Sequence, residues 1–302
     1  MDSLAIVFPG QGSQSVGMLS DLATTFPIIQ KTFLEASDVL GYDLWTLTQK
    51  GPADKLDETV HTQPAILTAS YALWRVLQSH HAFKPAVMAG HSLGEYSALL
   101  CANVFDFADA VRLVALRGQY MQEAVPFGAG ALAVIVGLSE EDVSSLCQQA
   151  AGQDVLSPAN FNSPGQVVIS GHAQAIERAL VLAKTLGAKM AKLLPVSVPS
   201  HCLLMKPAAE RFEKALADVA LRAPTIPVIN NVDVAVYQDA AQIREGLLRQ
   251  LYSPVRWVET IVAFQPYHVT RVLECGPGKV LSGLMKRINN QINMLQFADV
   301  LA

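Results

Sequence analysis

Residues Gly90-His91-Ser92-Leu93-Gly94-Glu95 set a serine between two glycines at G-x-S-x-G spacing. A short apolar run, Pro85-Ala86-Val87-Met88-Ala89, precedes them, and an apolar-periodic stretch beginning at Tyr96 follows. The pattern predicts a strand, a sharp turn and a helix, with Ser92 held strained and exposed as a nucleophile. Gly90 and Gly94 lack the Cβ atoms that would block so close an approach of strand and helix. The first free N–H groups of that helix then face any oxyanion formed on Ser92. The competing reading is a glycine-rich junction whose serine only caps the helix.

A serine hydroxyl attacks poorly until a neighbouring base takes its proton. Of the seven histidines, His80 and His81 end a helix and are expected to face water, and His91 should diverge from adjacent Ser92. His172 sits in a turn. His201, in a loop just before a helix, is the candidate base, ahead of His268. α/β-hydrolases place an acid between serine and histidine in chain order. Here Glu141, Asp142 and Asp154 fall in a segment that reads as a separate lobe, and no H-G-G-G-type loop precedes Ser92. The hydrolase reading weakens accordingly. In the apolar helix around Val111–Tyr120, Arg112 and Arg117 are five apart and point different ways. Arg112 reads as a surface residue. Arg117, if it faces Ser92, would grip a carboxylate through two parallel hydrogen bonds.

The elements that must position these residues alternate in type. A strand at Leu4–Phe8 runs into the turn-rich Pro9-Gly10-Gln11-Gly12-Ser13-Gln14, with helical patterns over 17–40 and 62–78. Helices are also expected after Ser92 to Ala102 and over 107–123. This implies an α/β fold with a mostly parallel sheet covered by helices, a large α/β-hydrolase-like domain. From Pro126 the pattern changes to β-α-β-β-α-β, the order of a ferredoxin-like unit. Its two central strands are read as 155–161 and 166–170, joined by a turn at Asn162-Ser163-Pro164-Gly165. The expected division is 1–125 with 198–302 as the large domain and 126–197 as the inserted one. A strand at Val228–Asn230, helices near 240–251 and 257–264, a strand at Val269–Glu274 and a last helix after Gly276-Pro277-Gly278 complete it.

Half of the 302 residues are apolar and 16% are charged, so a substantial core is available and disorder is not expected. The longest apolar runs fall short of the roughly 18 to 20 residues that cross a bilayer. The N-terminus lacks a secretory pattern. Four cysteines are scattered without a C-x-x-C pair, which suggests neither disulfides nor a zinc site and fits a reduced, cytoplasmic setting. A net charge of −4 argues against a nucleic-acid partner.

Six motifs stand in order: Phe8-Pro9-Gly10-Gln11-Gly12-Ser13-Gln14, Thr62-Gln63-Pro64-Ala65, Gly90-His91-Ser92-Leu93-Gly94-Glu95-Tyr96, Arg117-Gly118, Pro199-Ser200-His201 and Gly276-Pro277-Gly278. Together they closely resemble the malonyl-CoA:acyl carrier protein transacylases of bacterial type II fatty acid synthesis, over nearly the whole chain. The resemblance implies Ser92 as nucleophile and His201 as general base and acid. It implies a main-chain carbonyl near Gln250, instead of an aspartate, orienting His201. It further implies that the Gln11 and Leu93 N–H groups form the oxyanion hole and that Arg117 binds the free carboxylate of malonate. The resemblance also offers Gln63 and Asn162, the latter in the hairpin turn, as candidates to line the cleft, with Asn160 serving equally.

The implied reaction is ping-pong: a malonyl-serine ester forms from malonyl-CoA and passes to the phosphopantetheine thiol of acyl carrier protein. No cofactor, metal, nucleic acid or membrane is implied, and a monomer is the expected state. Carrier proteins of this pathway are acidic, so a basic face is expected: Lys184, Lys189 and Lys192 with Arg178, or Lys286 and Arg287. The alternatives are a discrete malonyl acyltransferase of a polyketide synthase, a serine thioesterase or esterase, and a silent carrier-binding module. Intact Ser92, His201 and Arg117 speak against the last.

Overall fold

The computed structural model describes residues 3–80, 84–196 and 198–301. Its strands are β1 (Ser3–Phe8), β2 (Val87–Gly90), β3 (Gly130–Val136), β4 (Leu156–Ser163), β5 (Gln166–His172), β6 (Met190–Leu193), β7 (Val228–Ile229), β8 (Val269–Glu274) and β9 (Asn293–Leu295). They form a five-stranded sheet of order β7-β2-β1-β8-β9 and a four-stranded sheet of order β4-β5-β3-β6.

Every pair in the five-stranded sheet is parallel. Central strand β1 buries both faces: Ile6 and Phe8 pack into one core, Ala5 and Val7 into the other. A strand covered on both sides must be apolar throughout, which is why Leu4–Phe8 is legible as an unbroken run. The first core lies under the helices Ile28–Leu40, Thr59–His80 and Phe107–Glu123. The second lies under Trp257–Val262 and Val280–Ile288.

The four-stranded sheet pairs antiparallel throughout, in the spatial order of a ferredoxin-like unit. The helices Glu140–Ala151 and Ala173–Thr185 cover one face with their own core, including Val143, Leu146, Ile176 and Ala179 against Ile135, Val167 and Ile169. The other face carries Leu132, Ala159 and Val168. The sheets are tied together where β4 bonds the large unit, Phe161 N–H to Val255 O at 2.9 Å and Val255 N–H to Ala159 O at 2.8 Å.

Several boundaries differ from the expected ones. β4 continues to Ser163, so Asn162 is a strand residue and only Pro164-Gly165 turn the chain, Gly165 with φ +72°. The 17–40 pattern is two helices, Ser20–Thr25 and Ile28–Leu40, because Pro27 restricts Phe26 before it and donates no hydrogen bond. β7 stops at Ile229, and Asn230 instead accepts from the N–H groups of Val232 and Asp233. Short helices at Leu44–Lys50 and Ala53–Asp57 fill a stretch whose periodicity is too brief to read. Val280–Ile288 is not the last element, since β9 and the helix Phe297–Leu301 follow. The side chains of His80 and His81 lie outside the described residues. Among the described residues no helix is long and apolar enough to cross a membrane.

Candidate active site

The turn after β2 is built on close backbone contacts. A Cβ at Gly90 would stand 1.9 Å from the Gly94 carbonyl, and one at Gly94 would stand 2.0 Å from Phe8 O. Between them Ser92 has φ +53° and ψ −108°, a conformation that non-glycine residues adopt only when their surroundings impose it. The constraint is visible: Ser92 N–H donates to Asn231 Oδ1 at 2.7 Å, and Asn231 Nδ2 donates to Gly90 O at 2.8 Å. The helix Leu93–Cys101 follows directly, so Leu93 N–H opens its first turn.

The chain after β1 comes equally close. A Cβ at Gly10 would lie 2.5 Å from His91 O, which places Gln11 beside the nucleophile turn. Both Gln11 and Leu93 line the same cavity as Ser92. Neither backbone N–H has an acceptor among the described residues, as two donors reserved for an incoming oxygen require.

His201 is 2% exposed, and its Nε2 lies 2.7 Å from Ser92 Oγ. Its Nδ1 is 2.8 Å from Gln250 O. A carbonyl only accepts, so Nδ1 carries the proton and Nε2 is free to receive one from Ser92. Among the described residues no carboxylate bonds this ring. Burial, then the Arg117 charge, push the His201 pKa down to about 3. The imidazole therefore stays neutral, the form a base needs, far below the ordinary histidine range. In an NMR titration of the ligand-free protein, the His201 ring is expected to show no midpoint between about pH 5 and 8. A midpoint near the ordinary value would contradict this.

Arg117, 1% exposed, is the second buried group. Its Nη1 donates to Gln63 Oε1 at 2.9 Å, and its Nη2 to Gln250 Oε1 at 3.0 Å, with Ser92 Oγ at 3.4 Å. The guanidinium also lies over the Tyr96 ring, 5.2 Å from its centroid. All these direct partners are neutral, so the cation has room in its bonding for an anion. Arg112, by contrast, is exposed and pairs with Asp109 at 3.0 Å.

The structure thus joins Ser92, His201, Arg117, Gln11 and Leu93 around one cavity of about 180 Å³. Gln63 reaches it through Arg117, and Gln250 lies behind His201 and Arg117. Asn160 and Asn162 both line the cavity, from β4 instead of a turn, and Asn162 Oδ1 lies 2.8 Å from His91 Nε2. His91 is thereby occupied with Asn162 and with the Trp257 ring, as its divergence from Ser92 requires. His268 is not among the residues around the cavity. Leu132, Val168 and Val196 give it an apolar wall from the smaller unit and its exit.

Three participants escape sequence reasoning: Glu95, Asn231 and the side chain of Gln250. Glu95 stands in the quoted motif, and an acid in an otherwise apolar first turn is the only signal that marked it.

A family model described as the acyl transferase domain matches residues 5–286. A malonyl CoA-acyl carrier protein transacylase of Escherichia coli O157:H7 is 59% identical over 288 residues, covering 95% of this chain and 93% of that protein. The solved malonyl CoA-acyl carrier protein transacylase of Coxiella burnetii superposes with a TM-score of 0.98 at 52% identity, over 99% of this chain and 96% of that one. A malonyl-transacylase solved in complex with its type II polyketide acyl-carrier protein gives a TM-score of 0.98 at 54% identity, over 99% of both chains.

Proposed function

The chain belongs to the acyl transferase domain family, and on that premise we infer that it carries malonyl groups from malonyl-CoA to acyl carrier protein through a malonyl-serine ester. The observation that carries the site assignment is the convergence on Ser92 Oγ, with His201 Nε2 at 2.7 Å and Arg117 Nη2 at 3.4 Å. A base and a fixed cation beside one hydroxyl suit an acyl group that bears its own carboxylate.

In the first half-reaction the Ser92 proton passes to His201 Nε2 as Oγ attacks the thioester carbonyl. The oxyanion is held by the Gln11 and Leu93 N–H groups, and losing one such donor typically costs about 3 kcal/mol of transition-state stabilisation. Collapse expels the CoA sulfur, which takes the proton from His201. In the second, the phosphopantetheine thiol gives its proton to His201 and attacks the ester. Collapse then returns Ser92 Oγ, reprotonated from the same ring. The Gln250 carbonyl steadies the imidazolium that forms transiently, as a carboxylate does in hydrolases. Arg117 holds the malonyl carboxylate, and Gln63 and Gln250 brace Arg117. The apolar wall of Leu132, Val168 and Val196 limits competing water.

This reading takes residues 126–197 as a lobe inserted between 1–125 and 198–302, in a monomer working in the cytoplasm. The separate core beneath β3, β5 and their helices supports the division. Intact-mass measurement after incubation with malonyl-CoA tests the reaction. A malonyl adduct is expected that Ser92→Ala lacks and that moves to added holo carrier protein. Release of free malonate with no carrier labelling would favour a thioesterase and overturn the reading.

The acidic carrier is expected along the β6 edge of the smaller sheet, near Lys184, Lys189 and Lys192, all exposed and in no ion pair among the described residues. Arg178 drops out of this set because it is bound to Asp154 at 2.7 Å. Lys189→Glu with Lys192→Glu should raise the carrier's apparent KM about tenfold at low salt and flatten its salt dependence. An unchanged KM and salt response would place docking elsewhere, with Lys286 and Arg287 next to be tested.

A further inference from the structure

Beneath the nucleophile turn lies an ionisable side chain that the reaction leaves without a task. Glu95 stands in the first turn of the helix Leu93–Cys101 and is 3% exposed. Its Oε2 accepts from Asn231 N–H at 2.9 Å and from Gln250 Nε2 at 2.8 Å. An accepting oxygen at that point compels the Gln250 amide to turn its NH2 inward and its oxygen outward. That outward oxygen is the one meeting Arg117 Nη2 at 3.0 Å. Gln250 Nε2 also donates to Ser92 O at 3.1 Å, and the Gln250 main-chain oxygen meets His201 Nδ1 at 2.8 Å. Through Asn231 the same carboxylate reaches the nucleophile turn, because Asn231 Oδ1 accepts from Ser92 N–H.

We propose that Glu95 is a positioning residue for malonyl selectivity, orienting the Gln250 side-chain amide so that its oxygen holds the Arg117 guanidinium beside Ser92. The proposal rests on the reading of Arg117 as the group that takes the acyl carboxylate. Without an acceptor at position 95, the Gln250 NH2 keeps only its longer bond to Ser92 O at 3.1 Å, and the inward pull on the amide weakens. A reversed amide sets NH2 against guanidinium, donor against donor, and a shifted one draws Oε1 off Nη2; in either case Arg117 loosens in the cleft. Malonyl loses its partner, whereas acetyl never had one. Burial raises the Glu95 pKa to about 7 against the opposing pull of its hydrogen bonds and of Arg117. A proton on Oε1 still leaves Oε2 an acceptor, so the orientation survives neutralisation.

The test compares kcat/KM for malonyl-CoA and acetyl-CoA, read as Ser92 adduct formation by intact mass. Glu95→Met should lower the malonyl-to-acetyl ratio about tenfold or more, chiefly through the malonyl-CoA KM. Glu95→Gln keeps an acceptor oxygen and should stay within about threefold of the parent. Glu95→Asp retracts the oxygen by one bond but disturbs the core less than Met, and should lower the ratio about fivefold. The double variant Glu95→Met with Gln250→Met should lose no more selectivity than the worse single variant, since both break one chain of contacts.

Malonyl and acetyl transfer falling in parallel in both Glu95→Met and Glu95→Asp would overturn the proposal, as would losses that multiply in the double variant. Failure of the parent protein to form a malonyl adduct would strike the functional reading itself. A normal parent adduct with unchanged variant ratios would strike only Glu95.

Discussion

Arg117→Ala is expected to lower kcat/KM for malonyl-CoA by about 10²- to 10³-fold while leaving acetyl-CoA within about tenfold of its original, low value. The magnitude follows from burial. Arg117 is 1% exposed and rests on the neutral oxygens of Gln63 and Gln250. Breaking a buried charge pair leaves the remaining charge uncompensated, at a cost of about 3 to 5 kcal/mol. Acetyl breaks no such pair, since the guanidinium it faces rests on the same neutral oxygens as in the free protein, so removing Arg117 changes acetyl transfer little. In Arg117→Ala malonyl bears the cost, because its carboxylate enters a dry cleft with no cation. Selectivity should therefore collapse through the loss of malonyl transfer. Equal losses for the two donors, measured by steady-state kinetics, would remove Arg117 from the role of carboxylate partner.

The same charge acts on the base. Arg117 is the second cause, after burial, of the low His201 pKa. A malonyl carboxylate on Arg117 cancels part of that field, so the imidazole becomes more basic when the correct acyl group has bound. Substrate choice and proton transfer are thus coupled through one guanidinium close to Ser92 Oγ.

What the chain discloses and what it hides divide along sequence distance. The strand, turn and helix around Ser92 are legible because both glycines stand within five residues at one junction, Gly90 clearing the turn's own backbone, although the backbone that Gly94 clears is that of distant Phe8. The central strand reads clearly because both its faces are covered. The ferredoxin-like lobe is legible from element order alone, since its helices and strands alternate with ordinary periodicity. Position in the cleft is another matter. Asn162 looks like a turn residue in Asn-Ser-Pro-Gly, yet pairing with β5 carries the strand past it. Asn231 reaches Ser92 across 139 residues, and the Gln250 side chain reaches Glu95 across 155. Nothing local marks those two as site residues, because only the meeting of the large sheet's loops gives them partners. The family resemblance supplied the Gln250 carbonyl but not its amide, and the amide is the part that links cation to carboxylate.

Gly90→Ala is expected to abolish Ser92 acylation and to remove most of the protein's stability. Ordinary overpacking costs about 1 to 3 kcal/mol because side chains find room. Here the added methyl would stand 1.9 Å from both the Gly94 carbonyl carbon and oxygen and 2.3 Å from Glu95 N. All three atoms are backbone, in a turn already pinned by Asn231 and by His91 N–H on Phe8 O at 3.0 Å. Relief requires the helix Leu93–Cys101 to move from β2, yet every residue of that helix is buried. A cost above about 4 kcal/mol follows, among the largest that single substitutions produce. Even a folded remnant would misplace Ser92, and a displacement of about 1 Å from the base costs on the order of 10²-fold in rate. Gly283→Ala supplies the contrast, since a Cβ there meets nothing within 4 Å in the helix Val280–Ile288. It should stabilise by about 0.4 to 1 kcal/mol by restricting the unfolded chain. Thermal unfolding and adduct formation on the two variants separate the cases. A Gly90→Ala protein that unfolds like its parent and acylates at a comparable rate would refute the close-contact account of the nucleophile turn.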